Sequence, residues 1–318
     1  MTMNQRKTLA FLFPGQGSQS IGMLAELGER HAVVQKTFIE ASAAMGEDLW
    51  ALASDGPETL LNRTDHTQPI MLTAGVAVWR AWLEGGGVWP ARMAGHSLGE
   101  YTALVCAGAL GFAEAVALVR DRGRYMQAAV AEGEGGIAAV LGLDDDTIAT
   151  VCADSAEGEV VEPVNFNAPG QVVIAGHAQA VERAIAAAKH AGAKRAMMLP
   201  MSVPAHCSLM APAAEQLEQR LAKVEVSEPQ VPIVHNVDVS TSGSPAAIKA
   251  RLVDQVRSPV RWTECVRALA AEGITETIEC GPGRVLAGLN RRIDRQLGAQ
   301  AIDNPDRLAE ALNSMESP

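Results

Sequence analysis

Short apolar runs alternate with longer stretches whose apolar residues recur at helical spacing, and the alternation continues along most of the 318 residues. The runs predict buried strands and the stretches predict helices. Thr8 to Phe13 reads as a first buried strand, Ile21 to Arg30 and Ala32 to Met45 as helices, and Gln68 to Leu83 as a long helix ended by Gly85-Gly86-Gly87. Arg92-Met93-Ala94 leads from a strand into Gly95, and Leu98, Tyr101, Leu104 and Val105 restart a helical period. From Gly135 the pattern tightens. Strand Ile137–Leu141, helix Asp144–Ala153, strand Val160–Asn165, the turn Asn167-Ala168-Pro169-Gly170, strand Gln171–Ala175, helix Gln179–Ala191 and strand Arg195–Leu199 follow in turn. That order, β-α-β-β-α-β, is the ferredoxin-like module. Beyond it come a strand at Val231–Val237, helices at Ile248–Val256 and Thr263–Ala271, a strand at Glu276–Glu279 and a helix from Val285 to Leu297, with Asn313 to Pro318 expected to fray. The chain is therefore expected to be α/β with a mainly parallel sheet. Residues 1–129 and 200–318 would form the larger catalytic domain, and 130–199 an inserted ferredoxin-like (βαββαβ) subdomain.

Composition narrows this little. At 48% hydrophobic and 20% charged residues the chain is neither disordered nor membrane-spanning in character. A net charge of −11 argues against a nucleic-acid binder and requires any acidic partner to meet a local basic patch. The five cysteines are odd in number and widely spaced, with no Cys-x-x-Cys. They predict neither a metal cluster nor a disulfide framework, and a cytoplasmic location. The apolar run Leu9 to Phe13 is too short for a signal sequence or a membrane span.

Chemistry enters at Gly95-His96-Ser97-Leu98-Gly99, a Gly-x-Ser-x-Gly pentapeptide between a predicted strand and a predicted helix. A serine on so tight a turn is pushed out of the sheet, and the glycines flank it because side chains there would strike the neighbouring strand or helix. The helix behind it offers unpaired N–H groups to developing negative charge. Such an elbow makes the larger domain α/β-hydrolase-like. A serine nucleophile needs a base. Of seven histidines, His96 adjoins Ser97 and is badly placed, His31 and His66 lie in polar surroundings, and His177 and His190 belong to the insertion. His206 and His235 remain. His206 lies in a Pro-bounded irregular segment where the chain re-enters the larger domain, well placed to face a cleft, whereas His235 sits in an apolar strand pattern that suits a satisfied core histidine. No acid follows Ser97 at the position an α/β-hydrolase triad requires, so a Ser–His dyad with its imidazole held by a backbone carbonyl fits better. Phe13-Pro14-Gly15-Gln16-Gly17-Ser18-Gln19 closes the first strand, either as a plain connector or as an oxyanion or phosphate loop.

Together these segments resemble the malonyl-CoA:acyl carrier protein transacylases of fatty-acid synthesis. The resemblance runs along the whole chain: Phe13 to Gln19, Gly95 to Tyr101, Arg122-Gly123, Val164 to Gly176, Val203-Pro204-Ala205-His206, Gln255 with Ser258 to Trp262, and Glu279 to Gly283. It implies that Ser97 carries the acyl group as an ester, with His206 as general base and acid. It also implies an oxyanion hole from the N–H groups of Gln16 and Leu98, and Arg122 as the group that binds the malonyl carboxylate. Gln255, whose main-chain carbonyl orients His206, joins His96 and Asn165 at the substrate. The implied partners are malonyl-CoA and an acyl carrier protein, with no nucleic acid, membrane, metal or cofactor, and the chain acting as a monomer. Ala205 stands where many relatives of that family have a bulky aromatic and others a small residue, and a small side chain there would leave room for a branched acyl group.

Arginine suits its role because its planar fork meets a carboxylate in two parallel hydrogen bonds. On a helix from Arg284 to Leu297, Arg284, Arg291 and Arg295 would share one face, opposite Leu286, Leu289 and Ile293. That stripe, with Lys194, reads either as an ordinary solvated face or as a dock for the carrier or the CoA phosphates. The competing readings are a serine esterase or thioesterase, a malonyl transferase serving malonate decarboxylation, and a non-catalytic scaffold.

Overall fold

The computed structural model describes residues 4–201, 203–241 and 243–316. Two sheets organise them. The strands are β1 (Gln5–Phe13), β2 (Trp89–Gly95), β3 (Gly135–Leu141), β4 (Val161–Ala168), β5 (Gln171–His177), β6 (Arg195–Met198), β7 (Ile233–Val234), β8 (Glu276–Glu279) and β9 (Gly298–Ala301). The larger sheet has the order β7-β2-β1-β8-β9, and every neighbouring pair is parallel. Phe13 pairs with Gly95, and Leu12 with Glu279, so the C-terminal ends of β1, β2 and β8 open on the same side. Ligands of parallel sheets bind at that side.

The apolar run of β1 follows from burial on both faces. Leu9, Phe11 and Phe13 join the core beneath the helix Thr64–Glu84, where the Phe11 ring lies 5.1 Å from Trp79 and 5.2 Å from Trp82. Ala10 and Leu12 face the other way, into a cluster with Trp262, Val266 and Leu269 of the helix Trp262–Ala271.

The smaller sheet has the order β4-β5-β3-β6 and is antiparallel throughout. Helices Asp145–Ser155 and Ala178–His190 connect its strands, so the expected element order β-α-β-β-α-β is present. Gly170, at φ 69°, makes the tight β4–β5 turn that only a glycine takes without strain. The two sheets are stitched where β4 meets the segment before Trp262. Val260 donates its N–H to Val164 and accepts from Phe166.

Several elements differ from their sequence reading. The first helix covers only Ala25–Arg30, because Gly22 and Leu24 take positive φ and turn the chain before it. The strand expected at Val231–Val237 shrinks to Ile233–Val234, since it pairs with β2 only through Met93 and Ala94. The last predicted helix stops at Ile293, where Asp294 turns extended, and the residues after it form β9. Arg295 is therefore off the helix, and the expected arginine stripe does not form. The tail is helical from Pro305 to Glu316 with Leu308 and Ala311 buried, rather than frayed from Asn313; Ser317 and Pro318 lie outside the described residues. Among the described residues, no helix is long and apolar enough to cross a membrane.

Candidate active site

The elbow is shaped by what its glycines avoid. A Cβ on Gly95 would lie 1.9 Å from the Gly99 carbonyl carbon, and one on Gly99 would lie 2.0 Å from the Phe13 oxygen. Ser97 itself sits at φ 52°, a strained left-handed conformation for a residue other than glycine. The strain is held by hydrogen bonds. The Ser97 N–H donates to Asn236 Oδ1 at 2.7 Å, and the Ser97 carbonyl accepts from Gln255 Nε2 at 3.0 Å. The loop after β1 presses against the same turn, since a Cβ on Gly15 would come within 2.5 Å of the His96 carbonyl oxygen. Gln16 is anchored by its side chain, which donates to Thr64 Oγ1 at 3.3 Å. The backbone N–H groups of Gln16 and Leu98 have no acceptor among the described residues.

His206 reaches Ser97 from the irregular segment after β6. Its Nε2 lies 2.7 Å from Ser97 Oγ, and its Nδ1 lies 2.7 Å from the Gln255 carbonyl. A carbonyl only accepts, so Nδ1 carries the proton and Nε2 is the acceptor for the serine hydroxyl. His206 also has positive φ, 68°, pinned by its N–H bond to the Val256 carbonyl. Burial, aided by the nearby Arg122 charge, pushes its pKa down to about 3, which keeps the ring neutral.

Arg122 lies on the helix Phe112–Ala128 and is only 1% exposed. Its Nη1 donates to Gln68 Oε1 at 2.8 Å, and its Nη2 donates to Gln255 Oε1 at 3.0 Å and to Ser97 Oγ at 3.2 Å. Its Nε is buried without a partner among the described residues, and the guanidinium lies 5.4 Å from the Tyr101 ring centre. Burial lowers its pKa, yet a guanidinium stays charged. A buried cation held only by neutral acceptors is poised for an anion.

A cavity of about 420 Å³ opens above these groups. Gln16, His96, Ser97, Ala205 and His206 line one side, and Ile137, Asn165 and Val173 of the smaller sheet line the other. His96 is half-buried and bonds through Nε2 to Asn167 at 2.8 Å; burial lowers its pKa. Asn165 has an Oδ1 without a partner among the described residues. The sequence-predicted residues Gln16, His96, Ser97, Leu98, Arg122, Asn165, His206 and Gln255 are thus brought to one place. His235 does not join them: its Nδ1 bonds Glu100 at 2.6 Å beneath the elbow. Sequence reasoning missed Glu100 and Asn236, both buried, and Gln68. The one signal for Glu100 was a charge at the start of an otherwise apolar helix. The arginines rearrange as well. Arg291 turns to the edge strand and donates to the Ala299 carbonyl, whereas Arg292 reaches Gln171 Oε1 at 2.7 Å and shares with Lys194 a separate surface depression that meets the cavity lining at Gln171.

A strand-to-helix serine, a carbonyl-held histidine and a buried guanidinium thus meet in one cleft. The family model for the acyl transferase domain matches residues 10–300, and the chain belongs to that family. Within it, the chain falls among the malonyl CoA-acyl carrier protein transacylases. It is 59% identical over 303 residues to one from Salmonella typhimurium, covering 95% of this chain and 98% of that protein. The structure of an acyl carrier protein S-malonyltransferase from Vibrio cholerae matches with a TM-score of 0.94 at 54% identity, over 96% of this chain and 99% of that one. A malonyl-transacylase in complex with a type II PKS acyl-carrier protein matches with a TM-score of 0.96 at 52% identity, over 97% and 100%.

Proposed function

We propose that the protein moves the malonyl group of malonyl-CoA to the phosphopantetheine thiol of an acyl carrier protein through an ester on Ser97. The observation that carries this reading is Arg122, a buried guanidinium 3.2 Å from the Ser97 hydroxyl with only neutral partners. An acyl chain that ends in a carboxylate supplies the missing anion, and an acetyl group does not.

In the first half-reaction Ser97 Oγ attacks the thioester carbonyl while His206 Nε2 takes its proton. The oxyanion is received by the Gln16 and Leu98 N–H groups, a donor pair in which each is worth about 3–4 kcal/mol to the transition state. The carbon–sulfur bond then breaks, and His206 returns the proton to the departing CoA thiolate. The carrier's thiol next attacks the Ser97 ester, giving its proton to His206, which passes it to Oγ as the ester bond breaks. Gln255 serves through its carbonyl, and His96 and Asn165 line the path of the incoming thioester. Residues 130–199 act as a subdomain that forms the roof of this path. An esterase reading has less support, since the base is held by a carbonyl and the guanidinium would have no role in simple hydrolysis.

Two experiments follow from this scheme. Enzyme treated with malonyl-CoA and freed of it by gel filtration should deliver its malonyl group to added holo carrier protein in a single turnover. Release of free malonate at the same rate with and without carrier would refute the transfer reading. Lys194 and Arg292, which line a surface depression joined to the cavity lining at Gln171, are the proposed contacts for an acidic carrier. Reversing both to glutamate should raise the carrier KM about tenfold or more through like-charge repulsion, while acylation by malonyl-CoA alone is less affected. An unchanged carrier KM would remove this surface from the account.

A further inference from the structure

Glu100, the second residue of the helix Gly99–Cys106, is 1% exposed and does not line the cavity. Three hydrogen bonds converge on its carboxylate. Oε1 meets His235 Nδ1 at 2.6 Å, and Oε2 accepts from the Asn236 N–H at 3.1 Å and from Gln255 Nε2 at 2.9 Å. An ionised carboxylate only accepts. The Gln255 atom facing it must therefore be the amide nitrogen, which turns the amide oxygen toward Arg122 Nη2 at 3.0 Å. The same nitrogen also grips the Ser97 carbonyl. The same oxygen anchors the Asn236 backbone. With its N–H on Glu100, its Oδ1 takes the Ser97 N–H at 2.7 Å, and its Nδ2 donates to the Gly95 carbonyl at 2.8 Å.

We propose, building on the malonyl-transfer reading, that Glu100 is a positioning residue which holds the orientation of the Gln255 amide and anchors the Asn236 backbone, and through them the aim of Arg122 and the strained turn at Ser97. The arrangement has a chemical logic. A carboxylate bonded directly to Arg122 would occupy the N–H groups that the substrate carboxylate needs. Gln255 acts as a neutral spacer: it hands the guanidinium an oxygen of fixed orientation and keeps the anion one side chain away. Among the described residues, no carboxylate forms an ion pair with Arg122, in keeping with that division.

The test compares Glu100→Met, which fills the same volume without an acceptor, with Glu100→Gln. The glutamine can place its oxygen where Oε2 stood and turn its nitrogen to His235 Nδ1, which accepts in the other tautomer. Serine acylation by malonyl-CoA and by acetyl-CoA is followed by intact mass on folded protein. In Glu100→Met, malonyl acylation should fall about a hundredfold, the scale of a misplaced reacting group. The malonyl-to-acetyl ratio should fall about tenfold, and Glu100→Gln should restore that ratio. A Met variant that folds and keeps the wild-type ratio, or a Gln variant as poor as Met, overturns the proposal. If Glu100→Met does not fold, Gln255→Met severs the same relay and must itself lower the ratio; an unchanged ratio overturns the proposal equally. Failure of the malonyl-transfer reading would look different, since wild-type enzyme would then form no malonyl adduct at all.

Discussion

Arg122→Ala should cost malonyl transfer about a hundredfold to several thousandfold in kcat/KM while reducing acetyl transfer far less. Removing one partner of a buried ion pair costs about 3–5 kcal/mol, because the other charge is left without compensation. At about 1.4 kcal/mol per decade, that range spans about a hundredfold to several thousandfold. The acetyl reaction has no carboxylate to strand; the loss of the bonds to Gln68, Gln255 and Ser97 Oγ falls on both substrates alike and by itself leaves the malonyl-to-acetyl ratio unchanged. Arg122→Lys should recover little, since a single ammonium cannot reach Gln68, Gln255 and the substrate with one fork. Parallel kcat/KM measurements with malonyl-CoA and acetyl-CoA check this. Equal losses for both substrates would leave Arg122 structural and remove it as the source of selectivity.

The second large effect belongs to His206. His206→Ala should slow serine acylation by about 10²–10⁴-fold, the span of general acid–base catalysis. The pH dependence of the wild type sharpens the point. The reactive form is the neutral ring, and burial lowers its pKa from the ordinary histidine value to about 3. The base is therefore present above that value and lost as pH falls through it. Acylation by malonyl-CoA should stay level from neutral pH down through pH 6 instead of halving near an ordinary histidine pKa. Pre-steady-state rates between pH 5 and 8 check this. A titration centred near 6.5 would mean that the ring is solvated when it reacts.

What the sequence carried well were features whose cause is local. The five-residue apolar run of β1 is buried on both faces, and the two elbow glycines are each required by a collision that can be foreseen from the turn alone. The carbonyl-held imidazole was legible because no acid stood at the triad position. The family resemblance supplied the roles of Gln16, Leu98, Arg122 and Gln255, which no spacing argument could give. What stayed hidden depends on partners far apart in the chain. Glu100 and Asn236 are separated by more than a hundred residues, and nothing in either neighbourhood announces that they meet. Likewise, β9 reads Gly-Ala-Gln-Ala, without the β-branched residues that mark a strand, and is fixed only by pairing with β8. The arginine stripe failed because one extended residue, Asp294, ended the helix before Arg295.

The central claim is a covalent one, that Ser97 holds the malonyl group between two thiols. Intact-mass spectrometry of the protein mixed with malonyl-CoA tests it directly. Wild-type protein should gain the mass of one malonyl group, mapped by peptide analysis to Ser97, and Ser97→Ala should gain none. An adduct that persists in Ser97→Ala, or turnover with no acyl-enzyme at any time, would contradict the account.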